Sequence, residues 1–141
     1  MYQHHTDSIE KLKEYYAHTE GVIAVILDGS VVKGNARPDS DVDAIVVVTD
    51  KKFAALKAED RMTEIIVGHC TYEGGYFDVK YKTKALLEDA AERASEPTRN
   101  AYVKAQVVYS VDEEIGRLVE KIAAYPERER EKKIRCFQAN L

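Results

Sequence analysis

Two cysteines, Cys70 and Cys136, are all that this 141-residue chain holds, and neither has a second Cys or a His at metal-ligand spacing. A disulfide framework and a structural zinc site are left without support, and both residues read as ordinary thiols. Three prolines and seven glycines, beside 45% apolar and 33% charged residues, exclude a fibrous or disordered chain. No stretch approaches the roughly 18 apolar residues that cross a bilayer. The opening residues, Met1 to Asp7, lack the basic stretch and apolar core that mark secretion. The expectation is a cytoplasmic protein with no membrane contact. An excess of positive charge is missing too: 21 Lys and Arg face 25 Asp and Glu, a formal net charge of −4. Affinity for long nucleic acid depends on cations that neutralise phosphates, so a small molecule or a protein is the expected substrate. There is no internal repeat and no low-complexity linker, and the length suits one domain.

What is present alternates between apolar runs and helical periods. Asp7 with Glu10 marks a helix start, followed by Ile9, Leu12 and Tyr16 at helical spacing up to Gly21. Val22 to Leu27 is a continuous β-favouring run, as in a central strand covered on both faces. A second such run spans Val42 to Val48. Asp50 is placed to cap a helix ending near Asp60, with Phe53, Leu56 and Ala55 inward. Glu64–Tyr72 and Tyr76–Lys82 read as a hairpin joined through Glu73, Gly74 and Gly75. A helix from about Thr83 to Ser95 carries Leu87, Ala90, Ala91 and Ala94 on one stripe, and a short strand spans Ala105 to Tyr109. Ser110 and Glu113 form a capping-box pattern ahead of Ile115, Leu118, Val119 and Ile122. Pro126 then opens a highly charged segment in which Ile134, Phe137 and Leu141 lie on one side. The expected division is a catalytic domain over residues 1–125 and a charged amphipathic helix over 126–141. That helix would begin a C-terminal helical segment or domain, and its apolar stripe calls for such a domain or a dimer partner.

The most informative feature lies between the first two apolar runs. Gly29 and Ser30 close the first, and eleven residues after Ser30 come Asp41, Val42 and Asp43, which open the second. A small-residue turn after a buried strand can present backbone N–H groups to a phosphate. The intervening segment is short for a parallel crossover, so antiparallel strands are the easier closure, bringing the turn and the acids to one edge. Asp41 and Asp43 share a face, about 6.6 Å apart along the backbone. Carboxylates converging to about 4 Å repel by roughly 4 kcal/mol at an effective dielectric of 20. A cation relieves that, and Mg²⁺ favours carboxylates combined with substrate phosphate oxygens.

Gly29-Ser30, Lys33-Gly34 and Ser40-Asp41-Val42-Asp43 together resemble the signature of the DNA polymerase beta-like nucleotidyltransferase superfamily. The likeness is nearest to small bacterial nucleotidyltransferases, either those that modify aminoglycosides or lincosamides or the minimal forms paired with helical toxins. It covers residues 22 to 48. The resemblance implies an α+β fold with a central mixed sheet of four or five strands flanked by helices. It implies a third carboxylate from a later strand, for which Asp78 is the candidate, and two Mg²⁺ ions held by Asp41, Asp43 and Asp78. A nucleoside triphosphate, with ATP the expected donor, would lie on Gly29 and Ser30, with Lys33 and Lys80 near its phosphates. Relatives often carry Arg where this chain has Lys33, which keeps the charge but loses the two-pronged grip on phosphate.

The expected function is metal-dependent transfer of a nucleoside monophosphate, AMP from ATP, to a hydroxyl of a small molecule, an antibiotic being one instance. The alternatives are an antitoxin-type adenylyltransferase acting on a partner toxin and a non-catalytic nucleotide-binding module. Single acids and lysines are ordinarily solvated surface residues, and Asp41 and Asp43 rise above that reading only through their joint spacing with the Gly-Ser turn. The four histidines and nine tyrosines receive no catalytic role.

Overall fold

The structure, a computed structural model, describes residues 3–28, 42–67, 76–93, 99, 102–103 and 105–124. Within them five strands form one sheet in the order β3-β4-β2-β1-β5, namely β1 (Val22–Asp28), β2 (Val42–Val48), β3 (Thr63–Val67), β4 (Tyr76–Thr83) and β5 (Gln106–Ser110). β2 and β4 run parallel, and the other three pairings are antiparallel. Four helices flank the sheet: α1 (Gln3–Ala17), α2 (Asp50–Ala58), α3 (Lys84–Arg93) and α4 (Glu114–Ala123). This is the mixed α+β architecture expected. The hairpin is present as antiparallel β3 and β4, while its connection, the 125/126 boundary and the C-terminal segment lie outside the described residues.

The strands are apolar on both sides because helices cover both faces. On the first face, Leu27, Val46 and Phe77 meet Leu12 and Tyr16 of α1 and Leu56 of α2. On the second, Ala24, Ile26, Ile45 and Val47 meet Leu87 and Ala91 of α3 and Ile115, Val119 and Ile122 of α4. Lys84 fastens the start of α3 to that of α4, with its Nζ 2.8 Å from Asp112 Oδ2 and 3.0 Å from Glu114 Oε2. The link from α1 to β1 passes through Gly21 at φ +84°, where a side chain would be strained and its Cβ would come within 2.9 Å of Lys52 Cβ.

A polar chain runs through the first face. The hydroxyls of Tyr16 and Tyr81 lie 2.9 Å apart, and Tyr81 donates to Glu64 Oε2 at 2.7 Å. A phenol has one proton, so Tyr16 is the donor to Tyr81. Arg61 closes the chain on Glu64 Oε1 at 2.7 Å. Burial alone would raise the Glu64 carboxyl, but the hydrogen bonds from Tyr81 and Arg61 outweigh it and hold Glu64 below its usual range.

Several helix ends differ from the sequence expectation. α1 starts at Gln3, not Asp7, because Gln3 Nε2 donates to Asp7 and buried His5 and Ser8 extend the packed side by a turn. Thr49, not Asp50, caps α2 by accepting the Lys52 N–H, and Ala55 faces solvent. At α4 the Ser110–Glu113 capping box does not form. Ser110 folds onto Asp112, whose Oδ1 accepts the Glu114 N–H and serves as the cap. Thr83 ends β4 and its Oγ1 accepts the Leu86 N–H at 3.2 Å, so α3 opens one residue later than expected.

Candidate functional site

Three aspartates form a row across the end of the sheet. Asp28, the last residue of β1, is in register with Asp43 of β2, and Asp43 is in register with Asp78 of β4. Residues paired across neighbouring strands project from the same face, here the one covered by α3 and α4. With strands about 4.8 Å apart, Asp43 is one spacing from each neighbour and Asp28 and Asp78 are two spacings apart. Like charges set directly opposite on a sheet repel, and a cation shared among them would offset that repulsion.

Local sequence explains how each acid reaches that face. In β2, Val42, Ala44 and Val46 join the first-face core, which leaves Asp43 in phase with Ile45 and Val47. In β4, Phe77, Val79 and Tyr81 do the same and leave Asp78 and Lys80 opposite. β1 needs a correction to its alternation. The register slips between Val22 and Ala24, and past this bulge Val25 and Leu27 face α1 while Ile26 turns the other way. Asp28 follows Ile26.

Of the residues expected at the site, Asp43, Asp78 and Lys80 fall within the described residues. Asp43 and Asp78 are brought side by side, both partly exposed. Lys80 is exposed one step further along β4, beside Ile45 on one neighbour and Thr63 on the other. Gly29, Ser30, Lys33 and Asp41 lie outside the described residues. The antiparallel pairing of β1 and β2 does put Asp28, which precedes Gly29, and Val42, which follows Asp41, at one end of the sheet. Asp28 was not singled out from the sequence, and its one signal there was its position as the acid ending the first apolar run.

Tyr102 stands at the β1 end of the row. It is 5% exposed within the second-face core. Burial, and then the negative charge of Asp28, push its phenol up to about 12. A hollow of about 270 Å³ lined by Glu20, Gly21, Thr49, Lys51, Lys52 and Ala55 lies at the opposite end of β1 and β2 and contains none of the aspartates.

The donor chemistry of the row suits a hard divalent cation, since Asp43 and Asp78 offer carboxylate oxygens from adjacent strands on one face. Among the described residues no group of three or more His, Cys, Asp or Glu is close enough to hold a metal ion. That accords with the spacing, which sets Asp28 and Asp78 two strand intervals apart, so that an ion on this row would be shared by neighbours, Asp43 with Asp78 or Asp43 with Asp28. No helix among the described residues is long and apolar enough to cross a membrane.

Residues 10–114 match the model of the family described as Polymerase beta, Nucleotidyltransferase. Among solved structures, a nucleotidyltransferase-like protein from Exiguobacterium sibiricum 255-15 superposes with a TM-score of 0.52 at 11% identity, over 89% of this chain and 40% of that one. The chain therefore spans less than half the length of that protein. A toxin-antitoxin structure with AMP-PNP has a TM-score of 0.43 at 14% identity, covering 99% of this chain and 100% of the other. A spectinomycin adenyltransferase from Enterococcus faecialis, solved with ATP and spectinomycin, has a TM-score of 0.45 at 15% identity, covering 90% and 63%. No curated protein matches the sequence.

Proposed function

Because the chain belongs to the polymerase beta nucleotidyltransferase family, we propose that it transfers a nucleoside monophosphate, AMP from ATP, to a hydroxyl of a small molecule. The observation that carries this reading is the in-register pair Asp43 and Asp78 on one partly exposed face, inside the segment matched by the family. Asp43 and Asp78, with Asp41, would hold Mg²⁺. When bound it supplies positive charge against the phosphates and lowers the cost of ionising the attacking hydroxyl.

The protein's own groups then have separable tasks. Gly29 and Ser30 would receive the triphosphate on backbone N–H groups beyond the end of β1, with Lys33 beside them. Lys80 would add a cation on the Asp78 side of the row. The acceptor oxygen would attack the α-phosphorus as its proton passes to water, a new O–P bond would form, the bond to the bridging oxygen would break, and pyrophosphate would leave with that electron pair. Such chemistry asks mainly for positioning and charge stabilisation, which a rigid row on adjacent strands provides.

The test is a labelled-ATP transfer assay with Mg²⁺, run against small hydroxyl compounds in one arm and proteins in the other. Asp43→Asn and Asp78→Asn should each lower transfer more than about 100-fold, since even the outer partners of a metal ligand cost about 10–100-fold. Both variants should stay folded, because the acids are partly exposed and oppose each other. Full activity in either variant sinks the proposal. Transfer confined to the protein arm would replace the small-molecule acceptor with a protein one.

A further inference from the structure

The helices of the second face stop short of its edge. The core under α3 and α4 draws Ala24 and Ile26 from β1 and Ile45 and Val47 from β2, and no described residue of β3 or β4 joins it. Among the described residues, the face past Asp78 is therefore open. Thr63 and Ile65 of β3 and Lys80 of β4 are exposed there, Ile65 by 62%. Register sets Ile65 opposite Asp78 and Thr63 opposite Lys80. A single row thus crosses four strands as Asp28, Asp43, Asp78 and Ile65, spanning about 14 Å at the usual strand spacing.

The two ends of this row are unlike. At the β1 end Tyr102 is buried beside Asp28, and the chain leads on into Gly29 and Ser30. At the β3 end, which is the sheet edge among the described residues, the row finishes on an exposed isoleucine. Single exposed apolar residues are common and carry no meaning alone. Edge strands, however, usually set charged side chains at outward positions to discourage pairing, and Ile65 departs from that habit at the one position adjoining Asp78.

We propose that the open floor of β4 and β3 binds the acceptor, with Ile65 as its apolar contact, and that the acceptor is a small hydroxyl compound bearing an apolar ring or alkyl face beside the reacting hydroxyl. This rests on the nucleotidyl-transfer reading. In an in-line displacement the attacking oxygen and the leaving pyrophosphate lie on opposite sides of the α-phosphorus. A triphosphate held through its outer phosphates at Gly29 and Ser30, as the transfer reading has it, would send its leaving group toward the β1 end, so that attack would come across Asp78 from the β3 side. The floor is continuous with the acid row there, and covering Ile65 removes its apolar surface from water when the acceptor binds. Ile65 is on this account a specificity-determining residue.

The test uses the full chain with Mg²⁺ and a non-hydrolysable ATP analogue, isotope-labelled at Ile and Val methyls. Cyclohexanol is titrated as the probe, with glycerol, which carries three hydroxyls and no apolar face, as the contrast. Val111, 68% exposed just after β5 at the far side of the sheet, is the internal control. Cyclohexanol should shift the Ile65 methyl saturably, glycerol should not, and Val111 should stay put. In the transfer assay Ile65→Ser should raise the KM for cyclohexanol about 10-fold, the scale of a lost apolar contact in a pocket, and leave the analogue's Kd unchanged. Equal shifts at Val111, no shift at Ile65, or a preference for glycerol overturns the proposal. If the analogue binds and Ile65 is silent, the acceptor floor alone fails. If the analogue does not bind, the transfer reading fails with it.

Discussion

On the first face of the sheet, α1 and α2 bury Val25, Val46 and Phe77 to 0% exposure, and the tyrosine hydroxyls there are joined in a directed chain. On the second, α3 and α4 cover β1 and β2 and leave Asp78, Lys80 and Ile65 open to solvent in varying degree. The same five strands thus carry a face closed by packing and a face whose end sets three like charges in register. The sealed face supplies the rigidity that lets the other hold its acids in place.

The largest effect that could break this contrast is on the sealed face. Phe77 precedes Asp78 in β4 and is fully buried in the first-face core. Phe77→Ala should cost about 3–5 kcal/mol of stability, the range for an aromatic side chain removed from a core. Chemical denaturation reads it directly. A loss below about 1 kcal/mol would mean that the first face is not the close-packed one.

A smaller effect concerns the polar chain. Tyr81→Phe removes the acceptor of the Tyr16 hydroxyl, which is 1% exposed, and the donor to Glu64. An orphaned buried hydroxyl costs about 1–3 kcal/mol. Glu64 has its folded pKa depressed, so its contribution is present above the unfolded carboxylate pKa of about 4.3 and is lost as pH falls through the lower folded value. The wild-type chain should therefore lose stability on acidification through that window more steeply than Tyr81→Phe does. Parallel acid profiles of the two would show that Tyr81 does not act on Glu64.

How much of each face could be read from sequence follows from the same contrast. The apolar runs Val22–Leu27 and Val42–Val48 announced buried strands, and the short segment between them pointed to antiparallel pairing, as found. The alternation of Phe77, Val79 and Tyr81 put Asp78 on the opposite face, although pairing of β4 with β2 is a long-range choice that periodicity cannot reach. Asp28 escaped for a definite reason. Counting by twos from Val22 puts position 28 on the α1 face, and only the bulge before Ala24 moves it to the other. Helix starts failed where side chains had competing partners, as when Ser110 bonded to Asp112 instead of capping α4. Ile65 looked like one more strand residue until the register set it against Asp78.

The finest test sharpens the closed end of the open face. Tyr102 has its folded pKa raised to about 12, first by burial and then by the Asp28 charge. The unfolded phenol titrates near 10. The sign follows: a phenol that resists ionisation in the folded chain contributes stability fully present below about pH 10, lost as pH rises through about 12. Asp28→Asn removes the second cause and keeps the first, so the Tyr102 titration, followed by its ring-carbon NMR signal, should move down without reaching the free value. The alkaline loss of stability should shrink with it. The expected shift is well under that caused by burial, and Asp78→Asn, two strands further along the row, should produce less still. If Asp28→Asn leaves Tyr102 unmoved, the carboxylate does not face the second-face core, and the row is reduced to Asp43 and Asp78. If both variants move Tyr102 equally, the row is shorter and more crowded than the strand spacing allows, and the distinction between a walled β1 end and an open β3 end is lost.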